Sequence, residues 1–531
     1  MYSSLDPGRF SRAQSTLKPR QAAACRCHCA HPLIPWIHRR LTADLSRRRF
    51  LGGSAAMLVP FLAAGAAGAA GAGVAGAERA AAAGPAAHAG PATGPATGTL
   101  AAAAGKPLVL ANIRLFDGLE LALQKGRALR IEGNRIRAID ATGADQGDAH
   151  VIDCGGRVVM PGLIDAHWHA LLCGVTQTMA MTAEVPYLHL VAGHVAGDTL
   201  MRGFTTIRDA GGPSFSLKAA IDQGLIRGPR IYPSGAMISQ TSGHGDFRLR
   251  YELPAIPDIL GHAEKAGVAS IANGVPMVLQ RVREQLMLGA SQIKLMAGGG
   301  VASPYDPIAS LQFTPEELHA GVQAARDWGT YAMAHVYTSE GIQRAIRAGV
   351  QSIEHGQLAD EATVRMMADE GIWWSLQPFL ADEDSNVYPD NPHARIDQER
   401  VAQGTVRAYE MARRFGVKTA WGTDILFNPA HLGNHGRMLA KMTRFYPPLE
   451  VLRMATGRNG ELLALSALRN PYDGRLGVLE AGALADLLVI DGEPEENLDF
   501  IVEPEVNLRI IMKDGQIFKN SLVAEGGAHG R

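Results

Sequence analysis

Eight short apolar runs recur between Val158 and Asp424: "VVMPGLIDAHWH", "TTIRDAG", "RIYPSG", "QIKLMAGGG", "YAMAHV", "SIEHG", "WWSLQP" and "KTAWGTD". Helical patterns separate several of them. In "TPEELHAGVQAARDWG", Thr314 stands at an N-cap position, Pro315 at the first helical position, and Glu317 completes a capping box. "SEGIQRAIRAG" and "RVAQGTVRAYEMARRFG" both close on glycine. Strands joined through helices pair in parallel, because each crossover returns the chain to the same end of the sheet. Eight strand-helix repeats over roughly 300 residues predict an α/β fold, a (β/α)8 TIM barrel. Its expected span is 161–470. A doubly wound open sheet is the alternative, but no Gly-rich dinucleotide fingerprint follows the first run.

The texture differs on either side. Residues 106–160 hold short alternating runs broken by Asp-Gly, Gly-Asn and Gly-Gly, as in "ALRIEGNRIRAID". Residues 471–520 repeat that texture in "ALADLLVIDG" and "LRIIMKDGQIFKN". Neither end has enough strands for a stable sheet alone, so one small β-sandwich domain built from both ends of the mature chain is expected. Residues 521–531 are left as a tail. Residues 78–105 are almost entirely Ala, Gly, Pro and Thr, the composition of a flexible linker. Residues 1–77 read as an N-terminal extension and signal peptide. Arg47 and Arg48 form a twin-arginine pair followed by Phe50, Leu51 and a weakly apolar run, with a small-residue cleavage site after Ala77. Pro60 and many glycines make that run a poor membrane span. The pattern resembles a Tat signal and implies a periplasmic or secreted enzyme. "CRCHCAH" (Cys25, Cys27, Cys29 with His28 and His31) precedes the signal, and five scattered cysteines make no disulfide scaffold. A formal net charge of −1 gives no electrostatic case for nucleic acid or an anionic membrane.

In a strand, residues i and i+2 share a face, so "HWH" aims His167 and His169 at one point and turns Trp168 away. Lys294, His335, His355 and Asp424 also lie near the C-terminal ends of their runs, the end at which barrel enzymes build active sites. Six ionisable groups facing inward are costly unless paired or bound to metal.

This set resembles the amidohydrolase superfamily of metal-dependent hydrolases, from Leu108 to about Phe518. "GLIDAHWH", the strand-end Lys, two later His and "GTD" carry the resemblance. The binuclear branch implies that His167, His169 and Asp424 bind one divalent ion, most readily Zn2+, and that His335 and His355 bind a second. Lys294, carboxylated by CO2, would bridge them as a carbamate. A shared water would be lowered in pKa towards neutrality and attack as bridging hydroxide, and Asp424 would shuttle its proton to the leaving nitrogen. The mononuclear deaminases use a Glu shortly after the fifth-strand His; "HVYTSEG" lacks it at that place, which favours the binuclear branch.

"TSGHGD" (241–246) resembles a loop of peptidase-like members that cleave dipeptides and N-acyl amino acids, which would give His244 a substrate contact. The wider layout resembles prolidase-like carboxypeptidases and an ochratoxin-hydrolysing amidase. Tyr337, on a loop edge two residues past His335, is a candidate for oxyanion stabilisation. A tight turn at Gly-His-Gly and simple packing of Tyr337 are the competing readings. Arg248, Arg250 and His262 are candidates for pairing with a carboxylate, and "GGGVAS" (298–303) reads as flexible backbone beside the site. The expected partner is a small amide or dipeptide, with no nucleic acid and no stable membrane span; a homo-oligomer is allowed. A cyclic-amide hydrolase of the imidazolonepropionase or hydantoinase kind, and an inactive metal-binding scaffold, stay open as alternatives.

Overall fold

The computed structural model describes residues 106–143, 147–253, 259–301, 305–385 and 392–522, all within the compact unit Thr93–Arg531. The expected signal and linker, "CRCHCAH" and nearly all of the expected tail lie outside the described residues. Among the described residues no helix is long and apolar enough to cross a membrane.

Five strands come first: β1 (Leu108–Leu115), β2 (Gln124–Glu132), β3 (Arg135–Ala141), β4 (His150–Asp153) and β5 (Val158–Pro161). Then follow β6 (Leu163–Trp168), β7 (Phe204–Asp209), β8 (Arg230–Pro233), β9 (Met237–Ser239), β10 (Ala269–Ile271) and β11 (Ile293–Met296). The central part ends with β12 (Ala332–Thr338), β13 (Ser352–Leu358), β14 (Trp373–Leu376) and β15 (Lys418–Trp421). The last three are β16 (Leu487–Ile490), β17 (Leu508–Lys513) and β18 (Gln516–Asn520).

Strands from both ends share one eight-stranded sheet, in the order β18-β17-β16-β5-β1-β2-β3 with β4 beside β1. Val489 of β16 pairs antiparallel with Val159 of β5. Leu110, Leu129, Val159, Val489, Ile510 and Met512 pack into the core of this sheet.

All eight runs read from the sequence contain strands. They form two parallel sheets, β6-β7-β8 and β10-β9-β11-β12-β13-β14-β15. β9 and β10 are additions, three residues each, too short to show a period. Every residue of β6, β7, β8, β11 and β14 is buried. Burial on both faces explains why these runs read as continuous apolar stretches rather than alternating ones. Hydrogen bonds link the two sheets on both sides. Ser291 N donates to Pro233 O at 2.7 Å. The Asn459 amide donates to Ile164 O of β6 and Trp421 O of β15 at 2.7 and 2.8 Å.

Helices cover these sheets. Helix Pro315–Asp327 has the expected Thr314 cap and Glu317 capping box. Helix Ser339–Ala348 stops at Gly349, whose φ of 97° is the left-handed conformation that glycine takes freely. Helix Pro392–Phe415 runs 24 residues.

Candidate metal centre and active site

The ends of six parallel strands, and the loops beyond them, deliver the polar side chains to one cavity. His167 comes from β6 and His169 from just beyond it. Lys294 lies in β11, His335 in β12 and His355 in β13, while Asp424 follows β15 by three residues. His244 arrives on the loop after β9. All seven line a cavity of about 620 Å³, together with Tyr337. Trp168 points away and stacks on His435, 4.5 Å between centroids. The alternation read from "HWH" is therefore realised. Tyr337 corrects one expectation: it belongs to β12 rather than to a loop edge. It shares the face of His335 by the period of two and stacks on His355 at 5.2 Å.

Four imidazoles each have one nitrogen tied back, which leaves the other nitrogen's lone pair available. His167 Nδ1 donates to Glu354 at 2.6 Å. His169 Nδ1 donates to Gly211 O at 2.9 Å, and His355 Nδ1 to Gln377 Oε1 at 2.8 Å. His335 Nε2 donates to Gly299 O at 3.2 Å. Donor atoms of His167, His355 and Asp424 all lie within 4.8 Å of one another. His169 Nε2 stands 3.1 Å from Asp424 Oδ1, yet that buried oxygen has no well-aligned hydrogen bond. Lys294 Nζ is 3.4 Å from His167 Nε2. A buried oxygen without a partner amid neutral imidazole nitrogens is a donor set that fits a borderline divalent ion. The compact trio takes residues from both groups implied by the resemblance, so Asp424 stands between them.

Burial dominates the electrostatics. It lowers the His167 imidazole to about 4, helped by Lys294, and holds His335 and His355 well below their ordinary value. These rings are therefore neutral, as ligation requires. Burial also pushes the Lys294 amine down to about 8. At Asp424 burial acts the other way, but His167, His169 and His355 outweigh it and keep the carboxyl ionised. His355 and Asp424 both adopt left-handed backbone, with φ of 73° and 54°. Residues with a Cβ rarely sit there unless their surroundings force them to.

Behind the cavity lie groups that sequence reasoning missed. Glu354 is fully buried and bridges His167 Nδ1 to the Arg208 guanidinium, with both carboxylate oxygens 2.7 Å from Arg208 Nη2. Asp165 is also fully buried. It accepts from His167 N at 2.8 Å, Thr423 Oγ1 at 2.7 Å and His435 Nε2 at 2.9 Å. One carboxylate thus fixes the two strand ends that carry His167 and Asp424. A signal did exist: "LIDAH", "TIRD" and "IEHG" each place a charge inside an apolar strand, and buried charges need partners.

Two further readings change. Arg248 is bound by the carboxylate of Asp246 at 2.7 and 2.6 Å and does not line the cavity, and Arg250 is exposed. The glycines of 298–300 are tightly packed rather than loose: a Cβ at Gly299 would lie 1.9 Å from Pro307 O, and one at Gly300 1.9 Å from His244 Cε1.

Comparisons with known proteins agree with this geometry. The sequence model described as "Amidohydrolase family" matches residues 158–518. The ochratoxinase of Aspergillus niger is 32% identical over 393 residues, covering 70% of this chain and 78% of its own. A prolidase solved in complex with N-methylphosphonate-L-proline is 34% identical, with a TM-score of 0.70 over 78% of this chain and 100% of that one. A Xaa-Pro dipeptidase with methionine bound in its active site is 30% identical, with a TM-score of 0.66 over 78% of this chain and 100% of that one.

Proposed function

The chain belongs to the amidohydrolase family, and on that premise we propose that it is a metal-dependent amidase that releases the C-terminal residue of N-acyl amino acids or dipeptides. The observation that carries this reading is the convergence of His167, His169, Lys294, His335, His355 and Asp424 on one cavity. The similarity to a prolidase, a Xaa-Pro dipeptidase and an ochratoxinase supports the bond class.

In this reading the parallel strands form the wall of a (β/α)8 barrel, and the sheet from the two ends is the small second domain. His167, His169 and Asp424 would hold one ion, and His335 and His355 the other. Two Zn2+ ions would supply Lewis acidity and a water of lowered pKa. Lys294, once its neutral amine had added to CO2 and lost a proton, would be an anionic N-carboxylate able to serve both ions. Its lowered pKa of about 8 favours the neutral amine this addition needs. Asp424 is ionised and takes the proton of the attacking water on a carboxylate oxygen, then passes it to the leaving nitrogen. Tyr337 faces the position of the developing oxyanion. His244 contacts the substrate carboxylate. The same proposal places the mature chain outside the cytoplasm.

The test is amino-acid release from a panel of N-acyl amino acids and dipeptides, including prolyl and phenylalanyl members, by the zinc-loaded protein. Release from several members is expected. No release with metal bound would overturn the reading in favour of cyclic amides.

A further inference from the structure

Resting on the reading above, we propose that Asp306 is the positioning residue for His244, and that Asp306 and Gly300 together set how tightly the site grips a substrate carboxylate.

Among the described residues lining the cavity there is no arginine, and the one lysine is Lys294, which lies within hydrogen-bonding reach of His167. A substrate carboxylate therefore meets imidazoles, amides and hydroxyls rather than a guanidinium fork. Its grip depends on how well those weaker donors are aimed.

His244 is held at both ends. Its backbone N donates to Gln312 Oε1 at 2.8 Å. Gln312 Nε2 in turn donates to Asp306 Oδ2 at 3.0 Å, and Gly300 N donates to the same oxygen at 3.0 Å. The ring stacks on His335, 3.9 Å between centroids and 12° from parallel. Gly300 crosses it so closely that a Cβ there would collide with Cε1, Nδ1 and Nε2, at 1.9, 2.2 and 2.6 Å. Stacking fixes the plane of the ring. With its plane fixed, the ring cannot turn about Cβ–Cγ, and what is left to set is the partner that each ring nitrogen meets.

Asp306 is the partner at Nδ1. Its Oδ2 lies 3.3 Å from His244 Nδ1. Yet Nδ1 of His244 and Oδ1 of Asp306 are both buried without a hydrogen bond. A buried imidazole nitrogen without a partner is costly, and the carboxylate of Asp306, with Oδ2 already 3.3 Å away, is placed to supply one. A carboxylate can be met only by an N–H, so the ring that grips it carries a proton on each nitrogen: Nδ1–H donates to Asp306, and Nε2–H, facing away from it, donates to the substrate. Neither Asp306 nor Gly300 touches the substrate; both act through His244.

The experiment compares the zinc-loaded full chain with Asp306→Asn and Gly300→Ala on two substrate sets: N-acyl amino acids, and the same compounds with the carboxylate blocked as a methyl amide. Asp306→Asn, nearly isosteric, is expected to raise KM for the free acids at least tenfold with kcat within about twofold. It should leave kcat/KM for the blocked set unchanged. Gly300→Ala should show the same split. If that variant misfolds, Asp306→Asn decides alone. An unchanged KM, or equal losses on both sets, overturns the proposal. A wild-type protein that releases no amino acid from either set overturns this proposal and the functional reading together, whereas an active wild type with an unaffected Asp306→Asn overturns this proposal alone.

Discussion

Lys294 shows how burial converts an ordinary side chain into a reactive one. It is 1% exposed and surrounded by imidazoles and carboxylates. An ammonium there is disfavoured by desolvation, and a carbamate would replace it with an anion that two cations can share. Lys294→Ala should reduce bound metal from about two ions per chain to at most one, counted by elemental analysis of dialysed protein. Full occupancy with full activity in that variant would overturn the bridge. His435 makes a separate prediction. Burial lowers it from 6.5 to about 4, against the pull of Asp165, while it stacks on Trp168 and Phe204. Between those two values the unfolded chain binds more protons than the folded one, so stability must fall as pH falls. The contribution is fully present above 6.5 and lost by about 4. A drop of that size corresponds to about 3 kcal/mol. Denaturant titrations of His435→Gln and the parent at neutral pH and near the lower value check this: the variant should show the weaker pH dependence.

At the scale of elements, local chemistry was legible where it repeats. The helix from Pro315 carried its own start signal. Thr314→Ala removes the hydroxyl that accepts from Glu317 N at 3.3 Å and should cost about 1 kcal/mol, read as a shift in the denaturant midpoint at constant slope. A loss below the error of the measurement would mean that Glu317 alone holds the turn. β9 and β10 escaped notice because three residues display no period. Tyr337 was misplaced for the opposite reason: β12 runs three residues past His335, and nothing local marks where a fully buried parallel strand stops.

For the whole molecule, the export reading is open to a direct test. Arg47→Lys with Arg48→Lys should trap the protein in the cytoplasm, followed by fractionation and immunoblotting. Normal export would reject the Tat assignment. The sequence by itself determined the strand-helix alternation, the common face of His167 and His169, the helix caps, and the polar groups at the strand ends. Each of these follows from spacings of two to four residues, which backbone geometry enforces. The tertiary structure alone decided that Arg208 and Glu354, 146 residues apart, would share one buried ion pair behind His167. It also decided that Asp165 would join two strand ends, that Asp306 would face His244, and that β16 would lie against β5. Pairings of this kind come from the need to satisfy a buried charge or to cover an open sheet edge. That need names the type of partner but not its position, because any residue that the closed fold brings within reach can meet it.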